Sequence, residues 1–295
     1  TISTGAMVAS MGLLYAVLVG VIAALMGDVP THGLAIGLSM ALGMTMASTD
    51  SLSTSQAIAW PEPMRYLNRT TLGSIDVEPF QGIQPYPFLE IPEILHRDAY
   101  HALTRDLPDP GMYARSFGRR RRYGQQSHDR FVLQYHPLRA IPETWREFVA
   151  ELKGPAYRSF VAGLLGRDDF ILHFHWHNTP RGCSVSPHCD ADWKLGSHIF
   201  YLNTEADWRP EWGGETIALG GRAGADSRAA PRFEDFPVQI AARPYGNRSL
   251  LFRRDENSWH GVRALDCPLG ALRRVFIVEF RKRSLINRAR TALGF

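Results

Sequence analysis

Pro187-His188-Cys189-Asp190 is the stretch that decides how this chain is read. One residue separates His188 from Asp190. In an extended segment both side chains therefore leave the same face of the backbone, and an imidazole and a carboxylate can reach one ion. A third ligand has to come from elsewhere, and His260, in Ser258-Trp259-His260-Gly261, is the best candidate. Two histidines and a carboxylate on one side of an ion form the set that suits Fe(II) and leaves other positions open to exogenous ligands.

The segments C-terminal to Asp190 add weight through their order. Ser197 to Asn203 (Ser-His-Ile-Phe-Tyr-Leu-Asn) is a strand-like run, followed by Trp212-Gly213-Gly214-Glu215-Thr216 and by Asn247 to Phe252, which ends apolar. His260 comes next, then the strand-like Arg-Arg-Val-Phe-Ile-Val-Glu-Phe from Arg273. This series resembles the Fe(II)- and 2-oxoglutarate-dependent oxygenases, in particular their prolyl-hydroxylase-like branch, over roughly Tyr86 to Lys282.

The resemblance implies a double-stranded β-helix, or jelly roll, of two antiparallel sheets, mainly β with flanking helices. It implies Fe(II) on His188, Asp190 and His260, with 2-oxoglutarate and dioxygen as cosubstrates and ascorbate as reductant. The implied reaction is hydroxylation with release of succinate and carbon dioxide. Asp190 favours hydroxylation, because in related halogenases a small residue replaces the carboxylate. The far carboxylate of 2-oxoglutarate needs a buried cation, preferably a guanidinium that grips it with two hydrogen bonds. The family places that residue on the strand after the distal histidine, where Arg273 and Arg274 are adjacent. Alternation puts Arg274 with Phe276, Val278 and Phe280, and Arg273 with Val275, Ile277, Glu279 and Arg281. Assigning the charged set to the outside makes Arg274 the expected grip. Tyr201 matches the position from which relatives bond the same carboxylate.

His173, His175 and His177 alternate with Leu172, Phe174 and Trp176, so a strand there carries one imidazole face and one apolar face. A Zn(II) site on that face is the rival metal assignment. The outer two histidines are roughly 13 Å apart along a strand, so two of the three at most would serve one ion. Arg119 to Arg122 is a run of four arginines, read as a solvated loop near the mouth of the site in preference to a patch for nucleic acid or an acidic substrate.

Composition bounds the rest. With 45% hydrophobic and 21% charged residues the chain can fill a globular core, and three cysteines without paired spacing are no disulfide framework. A reducing compartment follows. Residues 7–26 form an uncharged aliphatic run, long enough at 1.5 Å per residue to cross a ~30 Å hydrocarbon layer, and residues 33–47 form a weaker one. The expectation is one or two N-terminal transmembrane helices anchoring the chain to a membrane. Every basic residue lies at Arg65 or beyond, which leaves the C-terminal part in the cytoplasm. The organisation expected is therefore an anchor over 1–49, a linker over 50–85 with a short structured entry near Ile75 to Phe80, and an oxygenase domain over 86–295, with helical support to 170 and the jelly-roll core over 171–282. Helices are expected over 94–107, 145–152 and 157–165 from their apolar spacing. Two other readings stand beside the hydroxylase: a non-catalytic, cupin-like binding or scaffold module tethered to the membrane, and a nucleic-acid-demethylating oxygenase. The substrate class left open is a peptide side chain, an amino acid, or a sugar or envelope intermediate.

Overall fold

The computed structural model describes residues 64–222 and 226–292, which lie in a compact unit spanning 57–295. Among the described residues no helix is long and apolar enough to cross a membrane. The stretches expected as anchors, 7–26 and 33–47, lie outside them.

Among the described residues eleven strands form two antiparallel sheets. The larger is ordered β1 (Phe88–Pro92), β9 (Arg248–Arg253), β6 (Lys194–Tyr201), β11 (Leu272–Lys282), β4 (Phe170–Pro180), β3 (Arg130–Gln134), β2 (Ala114–Ser116). The smaller is ordered β5 (Val185–His188), β10 (Trp259–Val262), β7 (Thr216–Gly220), β8 (Val238–Ala242). Residues of both sheets line one cavity, in a jelly-roll-like arrangement.

Both faces of the larger sheet are covered, and this explains its sequence. Alternation sends Leu172, Phe174 and Trp176 of β4, and Phe276, Val278 and Phe280 of β11, to one face. There they meet Trp145, Phe148 and Leu152 of α4 (Glu143–Lys153) and Tyr157, Phe160 and Leu164 of α5 (Pro155–Leu165). Trp145 packs at 5.1 Å from Trp176 and 5.0 Å from Phe276 between ring centres. Each such aromatic contributes about 2–3 kcal/mol through burial. Pro155 opens α5, where its missing N–H costs nothing, and Gly166 closes it at φ 66°. The opposite face of the same strands carries His175, His177, Arg273, Glu279 and Arg281 into the cavity.

Residues 64–85 are not the linker expected. Met64, Tyr66, Leu67, Leu72 and Phe80 are buried in the helical core, three of them flanking or within the short helices α1 (Arg69–Gly73) and α2 (Val77–Gly82). Neither helix is long enough to display a period. Their ends are tied by side chains instead: Asn68 Oδ1 accepts from the Thr70 and Thr71 amides, and Asp76 Oδ1 from the Glu78 amide. The helix read over 94–107 is shorter, α3 (Arg97–Arg105), with Ala99, Tyr100 and Leu103 buried. α6 (Leu285–Ala292) follows β11.

Gly196 lies in β6 between β9 and β11, where a Cβ would collide with the Phe252 carbonyl oxygen. Gly196→Ala is therefore expected to destabilise the fold by about 1–3 kcal/mol, as overpacking does. An unchanged urea midpoint would contradict that close approach.

Candidate active site

His188 ends β5, and His260 lies directly opposite it on β10. Their ring centres are 4.4 Å apart. Each ring is fixed in the same way: His188 Nδ1 is 3.0 Å from the Ser186 carbonyl oxygen, and His260 Nδ1 is 3.0 Å from that of Ser258. A carbonyl can only accept, so Nδ1 carries the hydrogen in both and the Nε2 lone pairs are left for a ligand. Asp190, just beyond β5, completes a group whose ligand atoms all lie within 4.8 Å of one another.

The electrostatics suit a cation. Burial, reinforced for His188 by His260, holds both imidazoles below their ordinary range and so neutral. Burial raises the Asp190 carboxyl, but the Lys194 ammonium and its hydrogen bond outweigh it and keep the group ionised. Lys194 Nζ binds Asp190 Oδ1 at 2.9 Å and Glu279 Oε1 at 2.5 Å. Glu279 also meets Arg281 at 2.7 Å. A buried chain of alternating charge thus orients the carboxylate without covering Oδ2, which has only a long 3.4 Å contact from Ser197 Oγ.

A second buried group, His173, His175 and Glu279, also brings ligand atoms within 4.8 Å. His177 is not part of it, so only two of the three alternating histidines converge. Its carboxylate is already neutralised by Lys194 and Arg281, and His173 Nε2 lies 2.7 Å from Gln134 Oε1. Ligands so engaged are a poorer cation site than His188, Asp190 and His260.

The arginine pair is placed opposite to expectation. Arg273 is 5% exposed and lines the cavity, donating from Nε to the Gly214 carbonyl at 2.5 Å and from Nη2 to Thr216 Oγ1 at 3.0 Å. Arg274 lies on the other face and pairs with Asp207 at 2.5 Å, half-buried. The apolar set of β11 faces the helices and the charged set faces the cavity, so Arg273 and not Arg274 is the one turned inward. Tyr201 is buried beside them, with the Arg273 guanidinium 5.6 Å from its ring centre. Its hydroxyl lacks a well-formed hydrogen bond, and burial pushes it up to about 12. A buried hydroxyl without a well-formed hydrogen bond, beside a buried guanidinium, has the chemistry to receive a carboxylate.

The cavity, of about 230 Å³, also takes Lys194, Glu279, Arg281, His128 and Arg130, which the sequence alone did not assign to the site, and Arg121, from the run expected near its mouth. Glu279 and Arg281 share the period of Arg273, and placing the helices against Phe276, Val278 and Phe280 would have found them. His128 and Arg130 had no such signal.

No protein-family model matches this chain, and no curated protein matches it. Among solved structures it is similar to a prolyl-4-hydroxylase from Pseudomonas putida, at 20% identity over 66% of this chain and 92% of that one, with a TM-score of 0.47. A prolyl hydroxylase from Trichoplax adhaerens, in complex with a hypoxia inducible factor peptide fragment, is 15% identical over 72% and 90%, with a TM-score of 0.49. An oxidoreductase of the 2OG-Fe(II) oxygenase family from Burkholderia pseudomallei is 12% identical over 71% and 92%, with a TM-score of 0.46. Identities of 20% or less with TM-scores below 0.5 carry no function from those proteins to this chain, so the functional reading rests on its own residues.

Proposed function

We propose that this chain is an Fe(II)- and 2-oxoglutarate-dependent dioxygenase that hydroxylates a C–H bond. One oxygen atom of O2 enters the product alcohol, and the other enters succinate as 2-oxoglutarate loses carbon dioxide. The observation that carries the reading is the convergence of His188, Asp190 and His260 on the same small cavity as the buried Arg273.

His188, Asp190 and His260 would hold the iron, which supplies the oxygen-activating chemistry when bound. The two carbonyls that accept from the Nδ1–H groups keep the imidazoles in the ligating tautomer. Lys194 keeps Asp190 ionised and turned toward the histidines. Arg273 and the Tyr201 hydroxyl would take the distal carboxylate of 2-oxoglutarate, and Gly214 and Thr216 hold the guanidinium in place for it. Phe252, 4.7 Å from His260 between ring centres, closes part of the wall to water.

The test is a succinate-release assay with Fe(II), 2-oxoglutarate and ascorbate, beside metal analysis of variants. One Fe(II) per chain is expected, lost in His188→Ala, Asp190→Ala and His260→Ala and kept in His173→Ala. Iron retained by all three ligand variants, or lost only on changing His173 or His175, would overturn the assignment.

A further inference from the structure

Five cationic side chains line the cavity against two anionic ones, and three of the five are accounted for. Lys194 and Arg281 are paired with Asp190 and Glu279, and Arg273 belongs to the cosubstrate carboxylate in the oxygenase reading. Arg130 and Arg121 remain. Among the described residues neither is ion-paired. Arg130 donates to the His128 carbonyl at 2.6 Å and to His177 Nε2 at 3.3 Å, and Arg121 reaches Gln125 Oε1 at 3.4 Å.

Their position is specific. The His128 ring lies edge-on to His188 with centres 4.6 Å apart, so the guanidinium that holds the His128 carbonyl stands one side chain from the candidate metal ligand. Arg121 also lines an adjoining recess of about 390 Å³, together with Arg120, Arg122 and Arg228. Among the described residues the only acidic ones there are Asp190 and Asp192, which are paired with Lys194 and Arg254. Burial, then the charge of Arg121, pushes Arg130 down to about 10. Holding two like charges together costs free energy, which a bound anion recovers.

We propose that the substrate is a small-molecule anion whose phosphate or carboxylate group is gripped by Arg130 and Arg121, beside the C–H bond to be hydroxylated. It enters through the arginine-lined recess. Calling the bound anion the substrate rests on the oxygenase reading, whereas the anion site itself does not. Arg130 and Arg273 stand in one row of the sheet with Thr179 of β4 between them, which puts their backbones roughly 10 Å apart. A cosubstrate anion straddling both is therefore the rival.

The experiment titrates inorganic phosphate and, separately, propionate into the full chain at constant ionic strength, followed by calorimetry. A parallel titration uses 2-oxoglutarate with Mn(II). One phosphate or propionate at the Arg121–Arg130 site is expected, with any further anion at Arg273 displaced by saturating 2-oxoglutarate and Mn(II). Arg130→Gln and Arg121→Gln should each weaken it at least tenfold, with Arg130→Lys intermediate. Arg273→Gln should leave it within threefold while losing 2-oxoglutarate. Preference between the two probes identifies the group. Because Arg121 lies on a loop, Arg121→Gln keeps the test decisive even if Arg130→Gln fails to fold. Equal anion affinity in wild type and Arg121→Gln, no anion binding at all, or loss confined to Arg273→Gln would each overturn the proposal. Phosphate or propionate binding that follows Arg121 and Arg130, in a chain that never binds 2-oxoglutarate, would leave the anion site standing and remove the oxygenase reading.

Discussion

Arg273→Ala is expected to keep its iron and yet need at least about 100-fold more 2-oxoglutarate for half-maximal uncoupled succinate release. Removing one partner of a buried, charge-assisted pair costs about 3 kcal/mol or more, which is roughly that factor. Arg274→Ala should change the requirement less than about threefold. Its side chain meets Asp207 on the opposite face, half-exposed, where such a pair contributes about 1 kcal/mol at most. Its backbone amide would still donate to Asn203 Oδ1 at 2.7 Å. The contrast separates chemistry from damage, because Arg273 also ties the Gly214 turn to β11. Both variants should therefore be melted alongside the assay. Sensitivity confined to Arg274 would mean that the strand is displaced by one residue, which exchanges its two faces. Insensitivity of both would remove 2-oxoglutarate from the reading.

The second large effect is loss of stability in mild acid. Burial first of all pushes His128 and His173 down to about 2, His198 to about 3 and His175 to about 4. All four are therefore neutral in the fold. In the unfolded chain each returns to about 6.5, so below that pH the unfolded state binds more protons and stability falls with pH. Between pH 6.5 and 5.5 the loss is about 1 kcal/mol per histidine, or about 4 kcal/mol in all. It continues until the folded-state values are reached. His198 shows why the charge cannot be accommodated: fully buried, it lies 2.9 Å from the Tyr157 hydroxyl and 2.8 Å from Ser249 Oγ, with no carboxylate beside it. Urea titrations at pH 7.5, 6.5 and 5.5 measure the trend. A midpoint that does not move across that range would show these imidazoles to be charged in the folded chain.

Much of the site was legible because its parts are local or periodic. His188 and Asp190 are near neighbours, and the strands at His173 to His177 and after Arg273 announce themselves by alternation. The helices at Trp145 and Tyr157 could be read from spacing, since each has a long apolar stripe. Residues 64–74 could not, because Tyr66, Leu67 and Leu72 are buried one at a time by short segments, whereas the structured entry read near Ile75 to Phe80 overlaps α2. The arginine run from Arg119 read as a solvated loop, and for Arg119, Arg120 and Arg122, which are exposed, that holds. Arg121 turns inward to the cavity, and no local pattern distinguishes it from its neighbours.

By itself the sequence determined the candidate ligand types and their order along the chain, together with a two-faced pattern on β4 and β11. Those features depend on the backbone period of two, which any extended segment obeys. It did not determine which face is inner. A sheet with helices on one side and a cavity on the other has two insides, and the aromatic face turned to the helices while Arg273, Glu279 and Arg281 turned to the cavity. Only tertiary folding could set His188 against His260 by pairing β5 with β10, join Asp190 to Glu279 through Lys194, and bring Arg130 from another strand to the same site. Those contacts join residues far apart in the chain, and their geometry exists only once the apolar face has been buried.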